Sequence, residues 1–258
     1  GKTTLLDYIR KLAYLARAAP AEGEPRPVAG REAGGITQSI GAYEIEHKVA
    51  HSTSAQGAPS VRKITFIDTP GHEAFSKMRS AGAIVADLAV LVVAADESVK
   101  PQTKEAIEIL EKTKTPFVVA INKIDKPEAN ADRVKNDLTA VGVLLEGYGG
   151  QVSYHGISAK TGEGVGELLD LIILVADVEN LTYNPEAPAS GFILETNMDS
   201  QRGFQVVAII NDGLLKIGDA VSTPTSRGKV KILENFLGQR VNHLEPSAPA
   251  IIIGFENP

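Results

Sequence analysis

The stretch Phe117-Val118-Val119-Ala120-Ile121-Asn122-Lys123-Ile124-Asp125 sets an apolar run directly against a polar turn. A short continuous apolar run predicts a strand buried on both faces, and such strands belong to parallel sheets covered by helices. The neighbouring sequence repeats the pattern. Upstream, residues 88–95 form a Val-rich apolar run, and Pro101 then opens a helix carrying Ala106, Ile107 and Leu110. Downstream, Val134, Leu138, Val141 and Leu145 mark a helix, 152–157 a strand, and Leu168, Leu169, Ile172 and Val175 a helix over 168–181. Nearer the N-terminus, Leu5, Ile9, Leu12 and Ala16 recur at helical spacing, and residues 18–35 read as a loop. Tyr43, Ile45, His47 and Val49 alternate with polar neighbours as in a half-exposed strand. A polar stretch, 52–60, turns the chain back into a second strand, 61–67. Alternating strands and helices predict an α/β fold: a doubly wound, mostly parallel sheet.

The texture changes after Asn184. Pro185 and Pro188 read as a linker, followed by short β-rich runs at 191–196, 204–210, 229–233 and 251–255. Asn211-Asp212-Gly213 is a tight-turn signal between two of them. The expected organisation is therefore an α/β domain over 1–184 and a small all-β barrel over 185–258.

Composition bounds the function. A chain of 258 residues with 43% hydrophobic and 22% charged content can build a sizeable core. The net charge of −6 argues against whole-chain electrostatic binding to nucleic acid, so any RNA contact is local. There are no cysteines, which excludes disulfides, thiolate metal sites and a cysteine nucleophile. The run 88–95 is far short of the roughly 20 residues a membrane helix needs. The chain opens on Gly1 rather than Met, and it is read as a piece of a longer protein.

Four short motifs carry chemistry. Gly1-Lys2-Thr3, just before an amphipathic helix, matches the end of the phosphate loop GxxxxGK[ST]. There Lys2 would reach phosphates and the Thr3 hydroxyl would hold magnesium, with Thr4 beside it in the first turn. Alone, these residues equally describe a helix start with no ligand. Asp68-Thr69-Pro70-Gly71 follows a strand: its carboxylate can hold magnesium through water, and the Gly71 N–H can approach a γ-phosphate. Asn122-Lys123-Ile124-Asp125 follows the central strand, where the Asp125 carboxylate can accept two hydrogen bonds from guanine's imino and amino groups. Adenine lacks that donor pair, a mismatch that can discriminate by roughly 10⁴. Ser158-Ala159-Lys160 follows 152–157 and would close over the same base. Each motif has an ordinary reading as a polar turn. Their order, with the last three each at a strand's C-terminal end, where ligands of open α/β sheets bind, favours one nucleotide site.

At these residues the chain resembles the translational class of P-loop GTPases. Gly34-Gly35-Ile36-Thr37-Gln38 looks like that class's first switch, and Asp68 to Phe75 like its second. Together with Pro101-Gln102-Thr103, these segments resemble the initiation factor 2 family, and Asn122 to Pro127 with Asn130 to Lys135 tilts the resemblance to its bacterial form. The resemblance implies a GTP- and magnesium-dependent GTPase with Thr3, Thr37 and Asp68 around the metal. It places Gly1, Lys2, Thr3 and Thr4 on the phosphates and Lys123 and Asp125 on the base, with Asn122, Ser158, Ala159 and Lys160 around it. His72 would orient the attacking water beside Gly71 and Lys2.

Intrinsic turnover is expected at about 10⁻⁴ to 10⁻² per second, stimulated by the ribosome. Implied partners are the 30S and 50S subunits, and initiator tRNA through domains outside this chain. No membrane contact is expected, and the protein is expected to be monomeric and cytoplasmic. The family has a strand and further loop residues before Gly1. Two alternatives therefore stay open: a nucleotide-independent interaction module whose basic residues Arg202, Lys216, Arg227, Lys229, Lys231 and Arg240 meet RNA, or an elongation-type GTPase. The five histidines show no zinc spacing apart from an i, i+4 pair.

Overall fold

The computed structural model describes residues 2–15, 41–49, 61–69 and 76–256. The expectations for 18–35 and 52–60 lie outside them. Helix α1 (Lys2–Leu15) buries Leu5 and Ile9, while Leu12 is 36% exposed. Strands β1 (Gly41–Lys48) and β2 (Val61–Asp68) pair in a two-stranded sheet. Tyr43 is buried and stacks on Phe66 at 5.6 Å, while His47, further along the same alternation, hydrogen-bonds Asp170 at 2.8 Å.

Helix α2 (Ser76–Val85) was not legible in the sequence. Its pattern is inverted at two positions: Arg79 is buried and Ile84 is 60% exposed. Next come β3 (Ala89–Ala94), α3 (Pro101–Thr113), β4 (Phe117–Asn122), α4 (Ala131–Ala140), β5 (Tyr154–Ile157) and α5 (Val165–Val178). The three strands form a parallel sheet in the order β3-β4-β5, with Val93 beside Ile121 and Ile121 beside Gly156. Leu91, Val93, Val119 and Ile121 pack with Ile107, Val134 and Leu138 on one face of the sheet, and Val118 and Ala120 are fully buried on the other, the both-face burial expected of 117–121.

Two boundaries differ from expectation. Helix α4 stops at Ala140, where Val141 caps it and Gly142 turns at φ +91°. Leu145 is nevertheless fully buried in the core cluster with Val134 and Leu138, held there by a bridge to Val152 after the helix has ended. Helix α5 ends at Val178 rather than 181, and Asn180 follows in the left-handed region at φ +50°.

From Thr182 onward the chain forms a second compact unit, which stretches of β1 and β2 join. Strands β6 (Ser190–Asp199), β7 (Gly203–Asp212), β9 (Ala220–Ser222), β10 (Arg227–Asn235) and β12 (Pro249–Phe255) make an antiparallel half-barrel in the order β6-β7-β12-β10-β9. A ribbon of β8 (Leu215–Lys216) and β11 (His243–Leu244) accompanies it. Val206, Ala208 and Ile210 alternate inward against Val230, Leu233, Ala250 and Ile252. Beyond β7, the Asp212 carboxylate accepts from the Gly213 N–H, supporting the turn that Asn211-Asp212-Gly213 signalled. No described helix is long and apolar enough to cross a membrane.

Candidate functional site

The candidate residues fall in two groups, each where a strand ends. Asp68 closes β2, Asn122 closes β4, and Ser158 follows β5. Parallel strands leave backbone groups and loop side chains converging at their C-terminal edge, where ligands of such sheets bind.

Lys2 stands at the first position of α1 and donates from Nζ to the Thr69 carbonyl at 3.4 Å. Burial pushes its ammonium below the usual lysine range; Asp68 nearby pulls it back up, and Arg79 pushes it further down. Arg79 is itself held by Glu105, Nη2 to Oε1 at 2.5 Å. A half-buried cation at a helix N-terminus favours an anion, because the outward N–H groups add to its field. Thr3 is half-buried and Thr4 exposed, both in the first turn of α1, and Asp68 is buried. The Thr3 hydroxyl and Asp68 carboxylate are hard oxygen donors. Magnesium favours such a set, with one carboxylate, water and phosphate oxygens completing its shell, so these residues fit that ion.

A second group lies at the ends of β4 and β5. Asn122 is 2% exposed, and its Oδ1 accepts from the Lys123 N–H at 2.7 Å and from the Ala159 N–H at 2.9 Å. One carboxamide therefore holds the Asn122-to-Asp125 turn and the Ser158-to-Lys160 turn together. Ser158, fully buried, braces its own turn: Oγ accepts from the Thr161 N–H and its carbonyl from the Gly162 N–H. Asp125 and Lys160 are exposed on these turns, available to a ligand. Lys123 sits at φ +68°, and its ammonium goes to Asp96 and Glu97.

Tyr8 links α1 to this group. Gly162 turns at φ +90°, and a Cβ there would lie 1.8 Å from the Tyr8 hydroxyl oxygen, so the ring lies directly over the turn. Gly1, Thr37, Gly71 and His72 lie outside the described residues. Sequence reasoning missed Tyr8, Gly162 and Asp96. The last was findable, because it follows β3 at the same sheet edge as the residues already singled out.

The elongation factor Tu GTP-binding domain model matches residues 1–177, and elongation factor G domain 2 matches residues 188–258. Translation initiation factor IF-2 of Rubrobacter xylanophilus is 46% identical over 98% of this chain, and that of Chloroflexus aurantiacus 48% identical over 99%. The chain spans 33% and 31% of these two relatives. Among solved structures, GDP-bound aIF5B from Aeropyrum pernix is 30% identical, with a TM-score of 0.70 over 98% of this chain and 49% of its own. Elongation factor SelB from Methanococcus maripaludis, in complex with the GTP analogue GPPNHP, is 25% identical, with a TM-score of 0.71 over 100% of this chain and 49% of its own.

Proposed function

We propose, because this chain belongs to the elongation factor Tu GTP-binding domain family, that it carries the catalytic part of a translation initiation factor that binds and hydrolyses GTP. Residues 1–184 would be the GTP-binding domain and 185–258 the β domain after it. The observation that carries this reading is the bond from the Ala159 N–H to Asn122 Oδ1, which unites the two base-side motifs, together with an α1 that starts on a half-buried lysine. Similarity to IF-2 over 98% of the chain supports the initiation role.

In this reading Lys2 neutralises charge on the β- and γ-phosphates. Gly1 and Thr4 complete the cradle, and the Gly71 N–H holds the γ-phosphate. Thr3, Thr37 and Asp68 would hold magnesium, which would supply positive charge to the phosphoryl transfer when bound. His72 orients the attacking water. Asp125 accepts from guanine, the Lys123 stem lines the base, and Ser158, Ala159 and Lys160 close over it. Loss of the γ-phosphate releases Thr37 and Gly71 and relaxes both switches.

The factor acts in the cytoplasm as a monomer on the 30S and 50S subunits. It promotes subunit joining, and it meets initiator tRNA through parts of the protein outside these residues. Arg227, Lys229 and Lys231 lie exposed at alternate positions of β10, a stripe suited to rRNA phosphates.

The test is magnesium-dependent binding of fluorescent GDP, with hydrolysis measured with and without ribosomes. Displacement by GTP but not ATP, weakening by Asp125→Asn, and loss of ribosome-stimulated turnover in His72→Ala are expected. Equal displacement by ATP, or full stimulation in His72→Ala, would overturn the reading.

A further inference from the structure

We infer that Asp96 is a positioning residue for guanine recognition: it clamps the turn that carries Asp125 from both flanks. The inference rests on the guanine-nucleotide reading above and adds a residue that none of the four motifs contains.

The Asp96 carboxylate receives Lys123 Nζ on both oxygens, at 3.0 and 3.1 Å, and Lys126 Nζ on Oδ2 at 2.6 Å. Lys123 and Lys126 bracket Ile124 and Asp125, so one carboxylate grips the turn on either side of the base-reading acid. The Asp96 side chain is only 10% exposed, which sets this network apart from a surface pair of little worth. Glu97 adds a contact to Lys123 at 2.9 Å from the solvent side.

Asp96 is itself fixed. Ser98, 3% exposed and at φ +59°, donates from Oγ to Asp137 of α4 at 2.6 Å. The Ala95 N–H bonds the Asn122 carbonyl at 2.8 Å, and the Ala95 carbonyl accepts from the Asn130 N–H at 3.0 Å. The corner after β3 is thus tied to β4 and α4, and Asp96 acts on the turn from a rigid base.

The grip also commits the Lys123 ammonium. Lys123 stands in the left-handed region, a conformation that a residue with a side chain keeps only where its surroundings enforce it. Asn122 Oδ1 enforces it at the backbone and Asp96 at the side chain. Asn122 orients the turn from the β5 side and Asp96 from the β3 side, leaving Asp125 exposed between them.

A merely structural role and a positioning role separate on the base. Guanine offers Asp125 an imino and an amino donor, and hypoxanthine only the imino group. A turn held in place rewards GDP over IDP, and a loosened turn rewards it less. We would measure GDP and IDP dissociation constants and melting temperatures for the wild type, Asp96→Asn, Lys126→Met and the double variant, in the full-length protein containing this chain.

Asp96→Asn is expected to weaken GDP by about tenfold and IDP by less, narrowing the GDP/IDP ratio about threefold or more. Lys126→Met should give part of that narrowing, and the double variant no more than Asp96→Asn alone. An unchanged ratio in both single variants overturns the inference, whatever happens to melting temperature. If Asp96→Asn fails to fold, Lys126→Met, on an exposed side chain, carries the same test. A wild type that binds neither nucleotide sinks the guanine reading itself, a distinct outcome.

Discussion

Asn122 Oδ1 and the Ala159 N–H, 37 residues apart in sequence, meet at 2.9 Å between two buried residues. Removing the acceptor strands a buried donor, which costs more than one hydrogen bond contributes. Asn122→Ala should therefore lower unfolding stability by about 1–3 kcal/mol, while Asn122→Asp, which keeps an acceptor, loses less. Chemical denaturation of the three proteins checks the order. Equal losses would mean that the side-chain oxygen is not what matters.

Gly162 and Gly142 make a matched pair. Both turn in the left-handed region, at φ +90° and +91°, but a Cβ on Gly162 would strike Tyr8, and one on Gly142 would meet nothing within 4 Å. Gly142→Ala should cost only backbone strain, about 1 kcal/mol. Gly162→Ala adds the displacement of Tyr8, about 1–3 kcal/mol more, and should weaken nucleotide binding as well. Melting curves and GDP titrations of both variants read this difference.

Lys2 illustrates a conflict between stability and function. Its folded pKa is lowered, chiefly by burial. The folded state therefore binds fewer protons than the unfolded one, and the group's penalty is relieved as pH rises toward 10.5. Wild-type stability should gain on Lys2→Met below that pH as alkalinity increases, and the variant should be at least as stable at neutrality. Phosphate binding should nonetheless fall by at least about tenfold in Lys2→Met. Unfolding against pH together with GDP titration tests both halves.

Asp96 has the opposite linkage. The hydrogen bond from Lys126, and then that from Lys123, hold its carboxyl at about 2, below the usual 3.8. Its contribution to stability is complete above 3.8 and lost as pH falls through about 2. Asp96→Asn should flatten the acid limb of the stability profile across that window. An unchanged slope between those pH values would show that these contacts do not persist in solution.

In the β unit, Glu234 is 5% exposed and bound by Arg202 Nη2 at 2.6 Å. Arg202→Met leaves a buried carboxylate alone and should cost about 1–3 kcal/mol, discounted because Arg202 is 36% exposed. The double variant Arg202→Met/Glu234→Met should be more stable than that single variant. A double-mutant cycle by denaturation decides it.

Much of this molecule was readable along the chain, for a definite reason. A continuous apolar run announced both β4 at 117–121, which is buried on both faces, and β3 at 88–95, whose second face is only half-buried. Asp68, Asn122 and Ser158 were found because motifs at strand ends are local in sequence. Contacts between distant segments left no such local trace. Asp96 acquires its partners 27 and 30 residues away, and Tyr8 covers Gly162 from another element. Leu145 looked helical because it stands at helical spacing from Leu138 and Val141, yet it reaches the core from a segment bridged to Val152 beyond the helix. Helix α2 hid behind a buried arginine paired to Glu105. Strands as short as Leu215–Lys216 and His243–Leu244 have no period to detect. Periodicity and spacing write the elements and the motif order into the chain, because each depends on near neighbours. Which charge faces which, and what braces the turn between Lys123 and Lys126, arises only when segments far apart are folded against one another.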